Sequence, residues 1–138
     1  MAMDIYKGWP LDGSLNDNAQ PLAGEVIIAG MAIKKDANGL LIKALGAAGE
    51  KAFFALENQA DFAVVGAKKM AYIVGNAIVL TDQYIAAGIT GYGQELEVST
   101  VALEAGKLRL RTTGPLYGWH DGTVVRDGVT YLKVKLAE

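Results

Sequence analysis

The chain contains no cysteine, which removes disulfides, thiolate chemistry and cysteine-ligated zinc together. It has one histidine, His120, too few for a typical zinc centre. Serine occurs only at Ser14 and Ser99, and neither sits in the glycine-flanked elbow of a serine hydrolase. Threonine is common, but threonine nucleophiles act from a freed N-terminus. Cationic clusters are also missing: 13 Lys and Arg are spread among 15 Asp and Glu, for a net charge of −2. Binding a phosphate backbone needs several cations on one face, so nucleic acid is not an expected partner.

Long hydrophobic runs are absent as well. Although 51% of residues are apolar, no uninterrupted stretch approaches the roughly 20 residues of a membrane-spanning helix. The opening MAMDIYKGWPLDG has one lysine and no apolar stretch behind it, unlike a secretory signal. A soluble protein made in the cytoplasm is expected, with no membrane partner. Proline is sparse, with 3 residues against 17 glycines, a balance that points to many tight turns rather than disorder.

What is present is a succession of short apolar segments. At 138 residues the chain fits one domain. From Glu25 onward, EVIIAGMAIKKDANGLLIKAL reads as two strands around a turn at Asn38-Gly39, where glycine supplies positive φ. KAFFALEN, DFAVVG, KMAYIVGNAIVL, QELEVS, GKLRLRT, GTVVR and VTYLKVKL are strand-like in turn. Two of them alternate cleanly. Leu108 and Leu110 are expected inward, with Lys107, Arg109 and Arg111 in water. Leu132, Val134 and Leu136 share one face, opposite Lys133 and Lys135. One wet face marks antiparallel sheets. The best helical candidates, LGAAGEKA and TDQYIAAG, are broken by glycine. The expected class is all-β, with at most short helical turns.

Residues 1–23 differ from the remainder, 24–138. Turn formers surround isolated apolar residues, among them Ile5, Tyr6, Trp9, Leu11 and Leu15, and no single period fits them. The segment reads either as an irregular layer on its own domain or as an extended arm docking on a neighbour. Under the second reading those five residues are the candidate contacts, since isolated aromatic and aliphatic groups make good anchors.

Chemistry is sought first in GPLYGWHDG, where Asp121 follows His120. Adjacent residues on a strand project to opposite faces, so Asp121 is badly placed to orient the imidazole. Turn grammar accounts for the segment more simply. Leu116 to Trp119 form a short strand, Asp121-Gly122 turns into Thr123-Val125, and Asp127-Gly128 turns into the last strand. Asp12 to Asn18 is oxygen-rich but lacks the order and closing glutamate of a calcium loop. Gly88 to Gly93 is glycine-dense without the Lys-Ser/Thr of a phosphate loop. Ala67-Lys68-Lys69-Met70 looks like the lysine-methionine hairpin of biotinyl carrier domains, yet Lys68 stands where the first methionine belongs. No catalytic residue, metal site or cofactor is expected.

The order of elements from about residue 24 to 136 resembles the capsid decoration proteins of tailed bacteriophages, also called cement or head-stabilising proteins. The likeness rests on GEVIIAGMAIKKDANGLLIKA, on Phe54-Ala55-Leu56-Glu57-Asn58, and on Gly93, Leu96, Val98, Ser99, Gly106 and Leu108. GPLYGWHDGTV and DGVTYLKVKL complete it. It does not extend to the N-terminal segment. It implies a small antiparallel β-barrel or β-tulip-like domain without catalysis. It further implies residence on the capsid exterior of the virion, bridging of major capsid protein subunits, and assembly with copies of itself as trimer or dimer. The alternative from a different class is a tail, baseplate or fibre module that binds host carbohydrate through Tyr92, Tyr117 and Trp119.

Overall fold

The computed structural model describes residues 3–8, 16–47, 49–58, 70–74 and 77–137. Its regular elements are almost entirely strands. They are β1 (Met3–Gly8), β2 (Asn16–Ala19), β3 (Ala32–Lys35), β4 (Leu41–Lys43), β5 (Phe53–Ala55) and β6 (Met70–Ile73). Then follow β7 (Ala77–Thr81), β8 (Glu95–Val98), β9 (Leu108–Leu110), β10 (Gly118–Arg126) and β11 (Val129–Leu136). The one helical element among the described residues is a 3-10 turn at Ala102–Glu104. Among the described residues, neither glycine-broken helical candidate is helical. Gly46, Gly49 and Gly88 within them hold positive φ, which ends a right-handed helix.

The strands form two antiparallel sheets rather than one closed barrel. One has six strands in the order β1-β7-β11-β10-β8-β9, the other five in the order β2-β6-β5-β3-β4. The physical reason is visible at KMAYIVGNAIVL, expected as a single strand. Met70–Ile73 belongs to the five-stranded sheet and Ala77–Thr81 to the six-stranded one, so the chain changes sheets between them. The all-β class holds and the barrel gives way to two layers.

A shared core joins the layers. Phe54, Ile73 and Ala32 of the smaller sheet cluster with Val79, Leu96, Val98, Leu108, Leu132 and Val134 of the larger one. The expected alternation in β11 is observed: Leu132, Val134 and Leu136 are buried, and Lys135 is exposed. A second cluster covers the opposite face of the smaller sheet, where Ile27 and Met31 pack with Ile33, Leu41, Ala55, Met70 and Tyr72. That sheet is therefore buried on both faces, which is why its strands read as continuous apolar runs. Burying a side chain such as Leu or Ile contributes about 1.5–3 kcal/mol, so both clusters stabilise the domain strongly.

The first 23 residues supply two edge strands of this chain's own sheets. Residues Met3–Gly8 pair with β7, Ile5 opposite Val79, with the register shifting at Tyr6. Asn16–Ala19 pair with β6. Trp9, Leu11 and Leu15 lie outside the described residues, as do Asp12 to Leu15 of the oxygen-rich segment, DFAVVG, Lys68 and Lys69.

Candidate functional site

The polar centre of the molecule lies where β8 and β9 meet the loop that opens GPLYGWHDG. In the β8–β9 ladder Glu97 stands directly opposite Arg109. Side chains paired across an antiparallel ladder approach closely, so alternation along each strand sends this pair to the same face. Glu97 Oε2 accepts from Arg109 Nε at 2.7 Å and from the Thr112 hydroxyl at 3.2 Å. Its Oε1 accepts the backbone N–H groups of Gly114 at 2.7 Å and Thr112 at 3.1 Å.

An ionised carboxylate offers about four lone-pair sites, and here four donors fill them. Glu97 is fully buried. Burial alone pushes its carboxyl upward, but the Arg109 hydrogen bond, the Gly114 and Thr112 N–H groups and the Arg109 charge together hold it below the ordinary glutamate value. The group is thus a saturated acceptor that stays ionised to below the ordinary glutamate range. It has no free lone pair with which to take a proton from a substrate. Arg109, expected in water from strand alternation, instead turns onto this carboxylate.

A second pair repeats the arrangement one pleat outward. Arg111 Nη1 donates to Glu95 Oε1 at 2.9 Å, and its Nε donates to the Gly114 carbonyl at 2.9 Å. Both pairs converge on Gly114, where an added Cβ would meet Glu97 Oε1 at 2.9 Å. Together they fix the loop from Thr112 to Gly114 that leads into β10.

His120 and Asp121 do not form a unit. His120 is buried and pairs with Val134, while its N–H donates to the Gln94 carbonyl and its own carbonyl accepts from Gly93. The ring meets Tyr92 edge-on, with centroids 6.3 Å apart, and its Nδ1 has no hydrogen-bond partner. Asp121-Gly122 is not the expected hairpin turn. β10 runs unbroken from Gly118 to Arg126, and the register jumps from His120 opposite Val134 to Thr123 opposite Leu132. Asp121 and Gly122 together face Lys133, a bulge in which Gly122 takes a φ of +106°. Turn-forming residues mark bulges as readily as turns, because both need an unusual backbone angle.

The other glycine-containing turn segments lie between strands. Asp127 and Gly128 both hold positive φ, at 52° and 78°, and join β10 to β11 through a two-residue loop. Asn38 and Gly39 lie in the β3–β4 turn, where Gly39 has a φ of +80° and the Asp36 carboxylate accepts the N–H groups of Asn38 and Leu40. The glycine-dense loop at Gly88 to Gly93 is organised by Gln94, whose amide oxygen accepts from Thr90 and Gly91 and whose nitrogen donates to the Gly88 carbonyl.

Of the three aromatics considered for carbohydrate, Tyr92 is exposed, Trp119 is half-buried and Tyr117 is buried. Tyr117 donates its hydroxyl to the Phe53 carbonyl at 3.2 Å, and burial pushes its phenol strongly upward. It offers no surface to a sugar. A hollow of about 50 Å³ between Gly46, Glu50, Val98, Pro115 and Tyr117 is below the size of a metabolite site. A broader depression of about 400 Å³ over Lys34, Lys35, Lys51 and Phe53 opens to solvent, with Lys34 held by Glu50 at 2.7 Å. Among the described residues, no group of three or more His, Asp or Glu side chains is placed to hold a metal ion.

No protein-family model, curated protein or solved structure matches this chain.

Proposed function

We propose that this protein is a non-catalytic assembly component that coats the exterior of a phage capsid and stiffens it by bridging major capsid protein subunits. The observation that carries the reading is where the polar side chains are spent. Glu97 fastens Thr112 and Gly114, Asn58 accepts the Ala29 N–H at 2.8 Å, and Glu57 accepts the Ala71 N–H at 2.6 Å. Glu25 accepts from Lys43, and Gln94 holds the glycine-dense loop. Each closes a loop onto the sheets rather than converging with others on a shared cleft. Such spending ties loops to the sheets, which suits a load-bearing part.

The order of turns and strands that resembles decoration proteins supplies the partner in this reading. A shell under internal pressure gains resistance when a stiff domain adds buried area across several subunit junctions. Many weak contacts then act together through multivalency. The test is to mix purified protein with expanded, undecorated capsids and image the particles. Regular density on the shell exterior is expected. Bare capsids, or glycan-array binding by the free protein, would refute the reading in favour of a host-binding module.

A further inference from the structure

The turn between β3 and β4 carries a reactive pair under restraint. Asn38 is the only asparagine followed by glycine; the others precede Asp17, Ala19, Gln59 and Ala77. Asn38 and Gly39 are both exposed, and a Cβ at Gly39 would meet nothing within 4 Å. Any other residue after an asparagine carries a Cβ that shields its own backbone nitrogen. Glycine leaves that nitrogen open to the side-chain carbonyl carbon before it. The pairs Asp12-Gly13, Asp121-Gly122 and Asp127-Gly128 share the glycine but offer a carboxylate, which repels an incoming amide anion.

The hydrogen bonds around the pair hold it in a shape that does not react. Gly39 donates its N–H to the Asp36 carbonyl at 3.0 Å, and Asp36 donates its own to the Leu40 carbonyl at 2.8 Å. With Gly39 at a φ of +80°, this is the hairpin loop built from a type I turn and a left-handed glycine. Asn38 takes the third position of that turn, where ψ lies at about 0°. Closing a ring between Gly39 N and Asn38 Cγ requires the peptide between them to rotate far from this value and to release its bond to Asp36. The Asp36 side chain opposes the rotation. Its Oδ1 accepts the N–H groups of Asn38 at 2.8 Å and Leu40 at 3.0 Å, one on each side of Gly39.

We propose that Asn38-Gly39 is a self-modification site whose rate Asp36 controls by clamping the turn. When the turn opens, hydroxide removes the Gly39 N–H proton and the nitrogen attacks Asn38 Cγ. The new C–N bond closes a cyclic imide, the bond from Cγ to the side-chain nitrogen breaks, and ammonia leaves with a proton supplied by water. Water then adds to either imide carbonyl and opens the ring to aspartate or isoaspartate. Solvent is the only co-reactant. Both products place a new carboxylate beside Asp36 and make the chain one unit more negative than its net charge of −2. Isoaspartate also lengthens the main chain by a methylene, which displaces Gly39 from its bond to Asp36. Asp36 is a positioning residue, because it holds the flanking N–H groups and not the reacting atoms. The inference stands on the turn and does not depend on capsid binding.

Peptide mapping of the full chain during incubation at mildly alkaline pH tests it, with electron-transfer fragmentation distinguishing isoaspartate from aspartate. Asn38 is expected to convert, with uptake of solvent oxygen in heavy-oxygen water, while Asn18 and Asn58 in the same digest stay intact. Unfolding in urea is expected to raise the rate at Asn38, since the clamp is lost. Asp36→Ala is expected to raise it at least about threefold in the folded protein, the effect of a lost hydrogen bond expressed as a rate. Asp36→Asn keeps the acceptor oxygen and is expected to restore most of the protection. An Asn38 that stays intact in folded and unfolded chains alike, or conversion spread evenly over the other asparagines, overturns the site. Equal rates in native and unfolded wild type overturn the clamp, and this comparison needs no variant to fold. So does a folded Asp36→Ala protein that converts no faster than the wild type.

Discussion

Glu97 and Arg109 face each other across the β8–β9 ladder, and the carboxylate they share with Thr112 and Gly114 is fully buried and fully hydrogen-bonded. Burying a charge is costly unless its lone pairs are matched, and a matched pair becomes expensive to break. The pair therefore couples the β8–β9 hairpin to the loop that launches β10. Stiffness in this region is electrostatic as much as hydrophobic.

Removing the carboxylate should expose that coupling. Glu97→Ala is expected to destabilise the fold by about 3 kcal/mol, because Thr112 and Gly114 lose their acceptor and Arg109 its partner. The folded-state pKa of Glu97 lies below its ordinary value of 4.5. Its stabilising contribution is thus fully present above that ordinary value and disappears as pH falls through the depressed one. Urea unfolding across acidic pH should show the wild type losing stability more steeply than Glu97→Gln. Parallel curves would contradict the role given to this charge.

His120 leads to the opposite expectation. Its Nδ1 is buried without a partner, and an apolar ring of similar shape removes that cost. His120→Phe should leave stability unchanged or raise it by up to about 1 kcal/mol, read as a shift in thermal midpoint. A clear loss would mean that the imidazole makes a bond that the described geometry lacks.

How much of this was legible in the sequence differs by element. β11 announced itself, because Leu132, Val134 and Leu136 alternate with lysines and one face meets water. Met70–Ile73 of the smaller sheet lacks alternation because both its faces are covered, so it merges with Ala77–Thr81 of the larger sheet into a single apolar run. Apolar composition records burial and carries no information on which sheet a residue joins. The Asp121-Gly122 reading failed for a related reason. A glycine flags an unusual φ, and whether the chain then reverses or merely bulges depends on the partner strand.

The Glu97 clamp was within reach of a closer reading. Glu95 and Glu97 precede the turn around Ala102–Glu104 at the same two-residue spacing with which Arg109 and Arg111 follow it. Mirrored acids and bases about a turn are what a hairpin with cross-strand ion pairs requires. The extra donors from Thr112 and Gly114 come from loop geometry and leave no comparable pattern.

The N-terminal segment yields the remaining prediction. Met3–Gly8 pairs with β7 along its length and forms the outer strand of the larger sheet. Deleting residues 1–8 uncovers the edge of β7, whose sequence is Ala-Ile-Val-Leu-Thr with no charge or proline to blunt it. If these residues belong to their own domain, the truncated protein should melt at lower temperature and exchange the amides of Ala77 to Thr81 faster. It should also self-associate through the new edge. If instead the segment serves as an arm for a neighbour, the isolated protein should show unchanged melting and exchange, and only binding to the assembled partner should suffer. Hydrogen exchange on the truncated and full-length chains separates these outcomes, because it reports the pairing of β7 directly and needs no capsid in the tube.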